Sequence, residues 1–287
     1  MSFVFFAWIA SFLFGLAAII GKLTSKHSIQ NPWLFNFLWM LFSLFLTIPI
    51  ALANGAGIPN YWGSILLVSF FSALFALLYI MSLSHLDVSV LIPLLNLRTA
   101  FISILGVLFL GEILKSNQYL MVAVILISGL FVSIDEKFSL KSFFKKPIYL
   151  ALLCTLSYTF MGISIKKAIS ENGYWQVTLW MAILSQLMIL STFPLFKKDI
   201  RKLSLKQLFC VFIMSLCLML GILAENRAYA QNVVITSIIT ALPISMILAF
   251  IFSLFVPNLL EKHTLKVYLI RFTAAAVMII AALKLSL

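Results

Sequence analysis

The sequence predicts an all-α membrane protein of ten transmembrane helices, five plus five in an inverted repeat around a central cavity. Three observations carry this. Of the 287 residues, 63% are hydrophobic and 10% charged, with a mean hydropathy of +1.15, which leaves too little polar material to cover a globule of this size. The apolar residues come in stretches of roughly 20, the length that crosses a hydrocarbon core of about 30 Å at the helical rise. The set of stretches occurs twice, from about Phe3 to Ser133 and from about Tyr149 to Leu285, and Leu38-Trp39-Met40 is answered by Leu179-Trp180-Met181.

The first segment, 3–21, follows Met1 with no basic n-region and no A-x-A-like site after it, so it reads as a retained helix ending at Lys22. The second, 33–53, opens after Asn31-Pro32 and closes at the turn-rich run 54–59. The third, 61–83, ends before Ser84-His85; the fourth, 88–110, ends at Gly111-Glu112; the fifth, 117–134, starts after Lys115. A basic run to Pro147 then separates the halves. The sixth segment, 148–166, stops at Lys166-Lys167, and the seventh, 174–196, opens after Asn172-Gly173. The eighth, 207–230, follows a charged stretch; the ninth, 233–256, ends at Pro257-Asn258; the tenth is 265–285. No break is long enough for a soluble domain, which gives a first repeat 1–135, a connecting loop 136–147 and a second repeat 148–287. Each segment is expected to be one continuous helix, because backbone groups in lipid must be satisfied within the segment, and the alternation of a barrel is absent.

Loop charge sets the orientation. The breaks after segments one, five, seven and nine hold 13 basic residues: Lys22, Lys26, Lys137, Lys141, Lys145, Lys146, Lys197, Lys198, Arg201, Lys202, Lys206, Lys262 and Lys266. The other side holds 5: Lys115, Lys166, Lys167, Arg227 and Lys284. The positive-inside rule makes the first set cytoplasmic and puts both termini outside a plasma membrane, here a prokaryotic inner membrane. Five being odd, the second repeat enters the bilayer upside down relative to the first.

A net charge of +12 and a pI near 9.7 would suggest nucleic acid in a soluble chain. Here the basic residues sit between apolar segments, where contact with anionic lipid headgroups explains them and no nucleic acid is expected. Cys154, Cys210 and Cys217 fall in apolar segments with no CxxC grouping and read as packing residues. His27, His85 and His263 lie in loops without a second ligand at metal spacing, and no GxxxxGK[ST] is present. No metal, cofactor or nucleotide is therefore expected, and no enzyme.

From Ser84 to Gly129 the chain resembles the drug/metabolite transporter superfamily, EamA type: small and polar residues enter segment four, Leu108-Phe109-Leu110-Gly111-Glu112 closes it, and Gly129 lies in segment five. Ala228 to Ala282, with Pro243 in segment nine, is the matching stretch of the second half. There are two departures: Arg98 stands where the first-half proline is expected, and Pro257-Asn258 where the second Gly-Glu would fall. The resemblance implies a secondary transporter of a small metabolite, with segments one, three, four, six, eight and nine lining the cavity and five and ten at the periphery.

Arg98 lies about midway along segment four, where an arginine costs roughly 2.5 to 3.5 kcal/mol to insert and survives only beside a cavity or a partner. It is a candidate for binding an anionic group of the solute, or else a structural residue. Glu225, near the end of segment eight, could balance Arg98, bind an amine or carry a coupling proton; a local interfacial pair with Arg227 is the favoured alternative. Glu112 reads as a capping residue. Asn96 and Thr99 on segment four, Tyr79 on three, Tyr158 on six, and Thr236 and Thr240 on one face of nine complete the candidate solute site. Each also has a plain alternative as interhelical glue. Trp8, Trp39 and Trp180 are further aromatics that could stack on a solute.

The expected function is secondary-active transport, by alternating access, of a solute that is amino-acid-like or otherwise anionic or zwitterionic. The expected partners are that solute, membrane lipid and a coupling proton, for a monomeric protein. An intramembrane lipid-modifying enzyme would need paired carboxylates or a His/Asp set at one depth, and a non-transporting scaffold would need soluble loops.

Overall fold

A computed structural model describes residues 2–86, 115–132, 146–242, 244–255 and 265–286, with Leu91, Leu94, Leu95, Leu97, Arg98, Phe101, Ile102 and Leu105 of segment four. Among them there is no strand. The helices are α1 (Phe3–His27), α2 (Pro32–Ala53), α3 (Trp62–His85), α4 (Ser116–Val132), α5 (Lys146–Asn172), α6 (Tyr174–Leu190), α7 (Lys197–Ile200), α8 (Leu205–Tyr229), α9 (Val233–Thr240), α10 (Ile244–Phe255) and α11 (Leu265–Ser286). In α1, α2, α3, α5 and α8 the chain is long and apolar enough to cross a membrane. Large apolar side chains such as Phe45, Leu120, Leu187 and Phe209 stand exposed around the bundle, as lipid rather than water requires.

Local chemistry starts these helices. Ser2 caps α1, and Asn31 caps α2 by accepting from the Trp33 and Leu34 N–H groups, with Pro32 in the first turn. Ser204 and Gln207 form a capping box on α8, and the Asn232 side chain accepts from Ile235 N–H at 2.7 Å to open α9. Gly173 takes φ 88°, a left-handed conformation that lets α5 stop and α6 start within one residue.

Packing follows a reciprocal pattern. α1 lies along α8, and α3 lies along α5; α6 packs against α2 and α3, and α8 also against α2. α4 and α11 pack on each other. Close approach of α1 and α8 needs a missing side chain: a Cβ on Gly221 would meet the Phe14 ring at 2.6 Å. The two ends of the bundle are tied alike. At one end Tyr61 N–H donates to Asn172 Oδ1 at 2.7 Å and Asn172 Nδ2 to Tyr61 O at 3.2 Å, while Trp180 Nε1 reaches Gly57 O at 2.9 Å and its ring meets Trp62 edge-on. At the other, Gln207 Nε2 donates to Ser28 O at 2.6 Å and Asn31 Nδ2 to Asp199 Oδ2 at 2.8 Å.

Two expectations need correction. The ninth segment is not one helix: α9 stops at Thr240 and α10 starts at Ile244, a break that is tolerated because it lines a cavity instead of facing lipid. Helix ends also outrun the apolar segments. His27 and His85 are the last residues of α1 and α3 instead of loop residues, and Lys166 and Lys167 lie within α5. Glu112, Gly111, Pro243, Pro257, Asn258 and His263 lie outside the described residues.

Candidate solute site

Three helical stretches each supply a pair four residues apart, and so on one face: Arg98 and Ile102 from segment four, Tyr158 and Gly162 from α5, Glu225 and Tyr229 from α8. Thr155 Oγ1 donates to Leu94 O at 3.0 Å and to Ala151 O at 2.8 Å, tying segment four to α5 just below them. Where the three faces meet, Arg98 Nη1 lies 3.4 Å from Glu225 Oε1, and both side chains are about 1% exposed. Tyr158 and Tyr229 each donate a hydroxyl to the same Oε1 at 2.7 Å. The Arg98 guanidinium carbon sits 3.2 Å over the Tyr158 ring centroid and 5.4 Å from that of Tyr229, a cation–π pairing. Phe75 stacks on the other face of Tyr158 at 4.3 Å.

Gly162 makes this arrangement possible. A Cβ there would meet Arg98 Nη2 and Ile102 Cδ1 at 3.2 Å and Tyr229 Cζ at 3.5 Å, so the missing side chain is what leaves room for Nη2. Its donors are unevenly used. Nη1 faces Glu225, whereas Nε and Nη2 are buried with no hydrogen-bond partner among the described residues.

Beside the pair opens a cavity of about 1060 Å³, counting its mouth. Both halves contribute: Ser11, Gly15, Trp39, Phe75 and Tyr79 from the first, Met161, Met181, Ile222 and the break Thr240-Ala241-Leu242 from the second, with Arg98 and Glu225 between them. The Ser11 hydroxyl is buried without a partner.

Of the residues expected at the site, Arg98, Tyr79, Tyr158, Thr240 and Glu225 come together on this cavity. Thr236 does not: it is fully buried and its hydroxyl donates to Asn232 O of its own helix. Asn96 and Thr99 lie outside the described residues. Trp39 lines the cavity, while Trp180 is held at the bundle end by Gly57 and Trp62. The favoured partner for Glu225 was wrong: Arg227 points instead to the Tyr174 ring at 5.0 Å, because residues two apart on a helix leave by different faces. Tyr229 and Gly162 were missed by sequence reading, although each stands four residues from a residue already singled out.

Residues 1–134 match the EamA-like transporter family. The resemblance read from Leu108 to Glu112 therefore holds for the first half of the chain, which is of the drug/metabolite transporter type and belongs to a multi-pass membrane protein. No curated protein matches the chain. A solved crystal structure of another protein is similar over 98% of this chain and 95% of its own, with a TM-score of 0.73 and 13% identity, a likeness of fold alone.

Proposed function

We propose, with the EamA-like character of residues 1–134 as the premise, that the protein is a secondary-active transporter of a small amino-acid-like or otherwise anionic or zwitterionic metabolite, working by alternating access in the plasma membrane. The observation that carries this reading is a cavity between the two halves whose wall holds a buried arginine with two unpartnered donors. A purely structural arginine would have those donors satisfied. The bundle's symmetry supports the inverted repeat. The end of the first segment meets the start of the eighth through Ser28 and Gln207, and the end of the sixth meets the start of the third through Asn172 and Tyr61, which is the same relation with the halves exchanged.

A second reading has its own observation, the close Arg98–Glu225 pair with two tyrosines on its carboxylate. In that reading Arg98 is a structural counter-ion. Counterflow in proteoliposomes, run beside thermal melting in detergent, separates the two. If Arg98 binds the solute, Arg98→Ala abolishes transport and Arg98→Lys lowers it at least tenfold, since lysine cannot repeat a planar fork. If it is a counter-ion, each single neutral substitution lowers the melting temperature and the double substitution at Arg98 and Glu225 restores it, because breaking a buried pair costs more than removing it. Transport by Arg98→Ala at the wild-type rate sinks the solute role.

A further inference from the structure

We propose that the solute is a monocarboxylate with an apolar body and that each solute enters with one proton, which settles on Glu225. This rests on Arg98 being the solute's contact. Among the described residues that line the cavity, Arg98 and Glu225 are the only charged ones, and at 3.4 Å they cancel. An anion placed on Arg98 brings a net negative charge into a space walled by Phe14, Trp39, Phe75, Met161, Met181 and Leu218. An apolar wall of this kind desolvates the charge, which favours taking up a proton with it.

Neutralisation at Glu225 keeps its two short hydrogen bonds: Tyr158 and Tyr229 both donate to Oε1 at 2.7 Å, and with the proton on Oε2 the two lone pairs of Oε1 still accept from them, while Arg98 Nη1, at 3.4 Å, is released toward the solute. The Thr240 hydroxyl lines the same cavity and, donating to Ser237 O at 3.3 Å, keeps its oxygen as an acceptor for the new O–H. The proton comes from water on the loading side and returns to water on the other. The titratable or charged groups that face Glu225 are Arg98 from segment four, Tyr158 from α5 and Tyr229 from its own helix; Tyr79 of α3 lines the same cavity and Cys154 of α5 contacts Phe75 O, while Arg227 turns away to Tyr174. α1 and α10 bring Ser11 and Ser245, which do not titrate in water.

On the guanidinium, the unpartnered Nε and Nη2 form one edge, which matches the two oxygens of one carboxylate. The carboxylate reaches them when the guanidinium turns from Gly162 toward the cavity. A phosphate dianion would fit the edge, but its second charge would find no counterpart among the described lining residues.

Calorimetric titration of the purified full-length protein in detergent, with hexanoate and benzoate as probes and in buffers of different ionisation enthalpy, counts protons directly. The expected result is about one proton taken up per anion, with affinity falling about tenfold per pH unit on the alkaline side, and an affinity for Glu225→Gln that does not move with pH. Binding by the wild-type protein without proton uptake, or a pH slope retained in Glu225→Gln, overturns the proton. Binding of inorganic phosphate or glycine but of neither probe overturns the apolar monocarboxylate and leaves Arg98 as an anion site. Binding of any of these ligands unchanged in Arg98→Lys overturns the reading of Arg98 itself. The wild-type proton count stands even if Glu225→Gln does not fold.

Discussion

Arg98 is held more by the faces around it than by its counter-ion. The 3.4 Å to Glu225 exceeds the roughly 2.7 to 2.9 Å of a strong charge-assisted bond, while the guanidinium lies directly on Tyr158 with Gly162 behind it. Replacing Gly162 with Ala puts a methyl 3.2 Å from Nη2, so the guanidinium must give by a few tenths of an ångström or turn outward. We expect Gly162→Ala to change solute affinity by about fivefold, equivalent to about 1 kcal/mol, while Gly63→Ala, where an added Cβ meets open space, leaves it unchanged; binding titrations on the purified variants measure both. The charges of this site were legible because a lone Arg or Glu in an apolar run has few explanations. Its surroundings were not. Which face of α5 meets segment four depends on how the helices cross, and spacing along one helix does not encode that.

At the scale of elements, hydropathy finds the part of a helix that lies in hydrocarbon and not its ends, and that is why the cores of α1, α2, α3, α5 and α8 could be drawn while their ends were missed. α1 runs on to His27 and α5 to Asn172 because a helix keeps its hydrogen bonds through the headgroup layer, where lysines are welcome. The break between α9 and α10 was missed for another reason: the rule favouring continuous helices applies to lipid-facing backbone, and this stretch faces a cavity. The α1–α8 contact offers a direct test of packing. Gly221→Ala should lower stability by about 1 to 3 kcal/mol through overpacking against Phe14, read as a lower melting temperature in detergent, and adding Phe14→Ala should recover part of the loss.

For the whole molecule, the 13 basic residues on one side against 5 on the other make a prediction about topology. A phosphatase fused after Leu287 should be active and a cytoplasm-dependent fluorescent protein dark; bright fluorescence with a silent phosphatase reverses the orientation. The duplicated Leu-Trp-Met triplet and the odd helix number are what make a two-fold relation expected; the reciprocal ties at the two bundle ends, which support that proposal, were not legible, because they join residues more than a hundred positions apart. The same separation governs the central pair. Arg98 and Glu225 are 127 residues apart, and at about 5 to 20 residues per second a ribosome needs roughly 6 to 25 s to make that stretch. Segment four is thus made well before its counter-ion, and we expect the central pair to form only once the eighth segment has been synthesised.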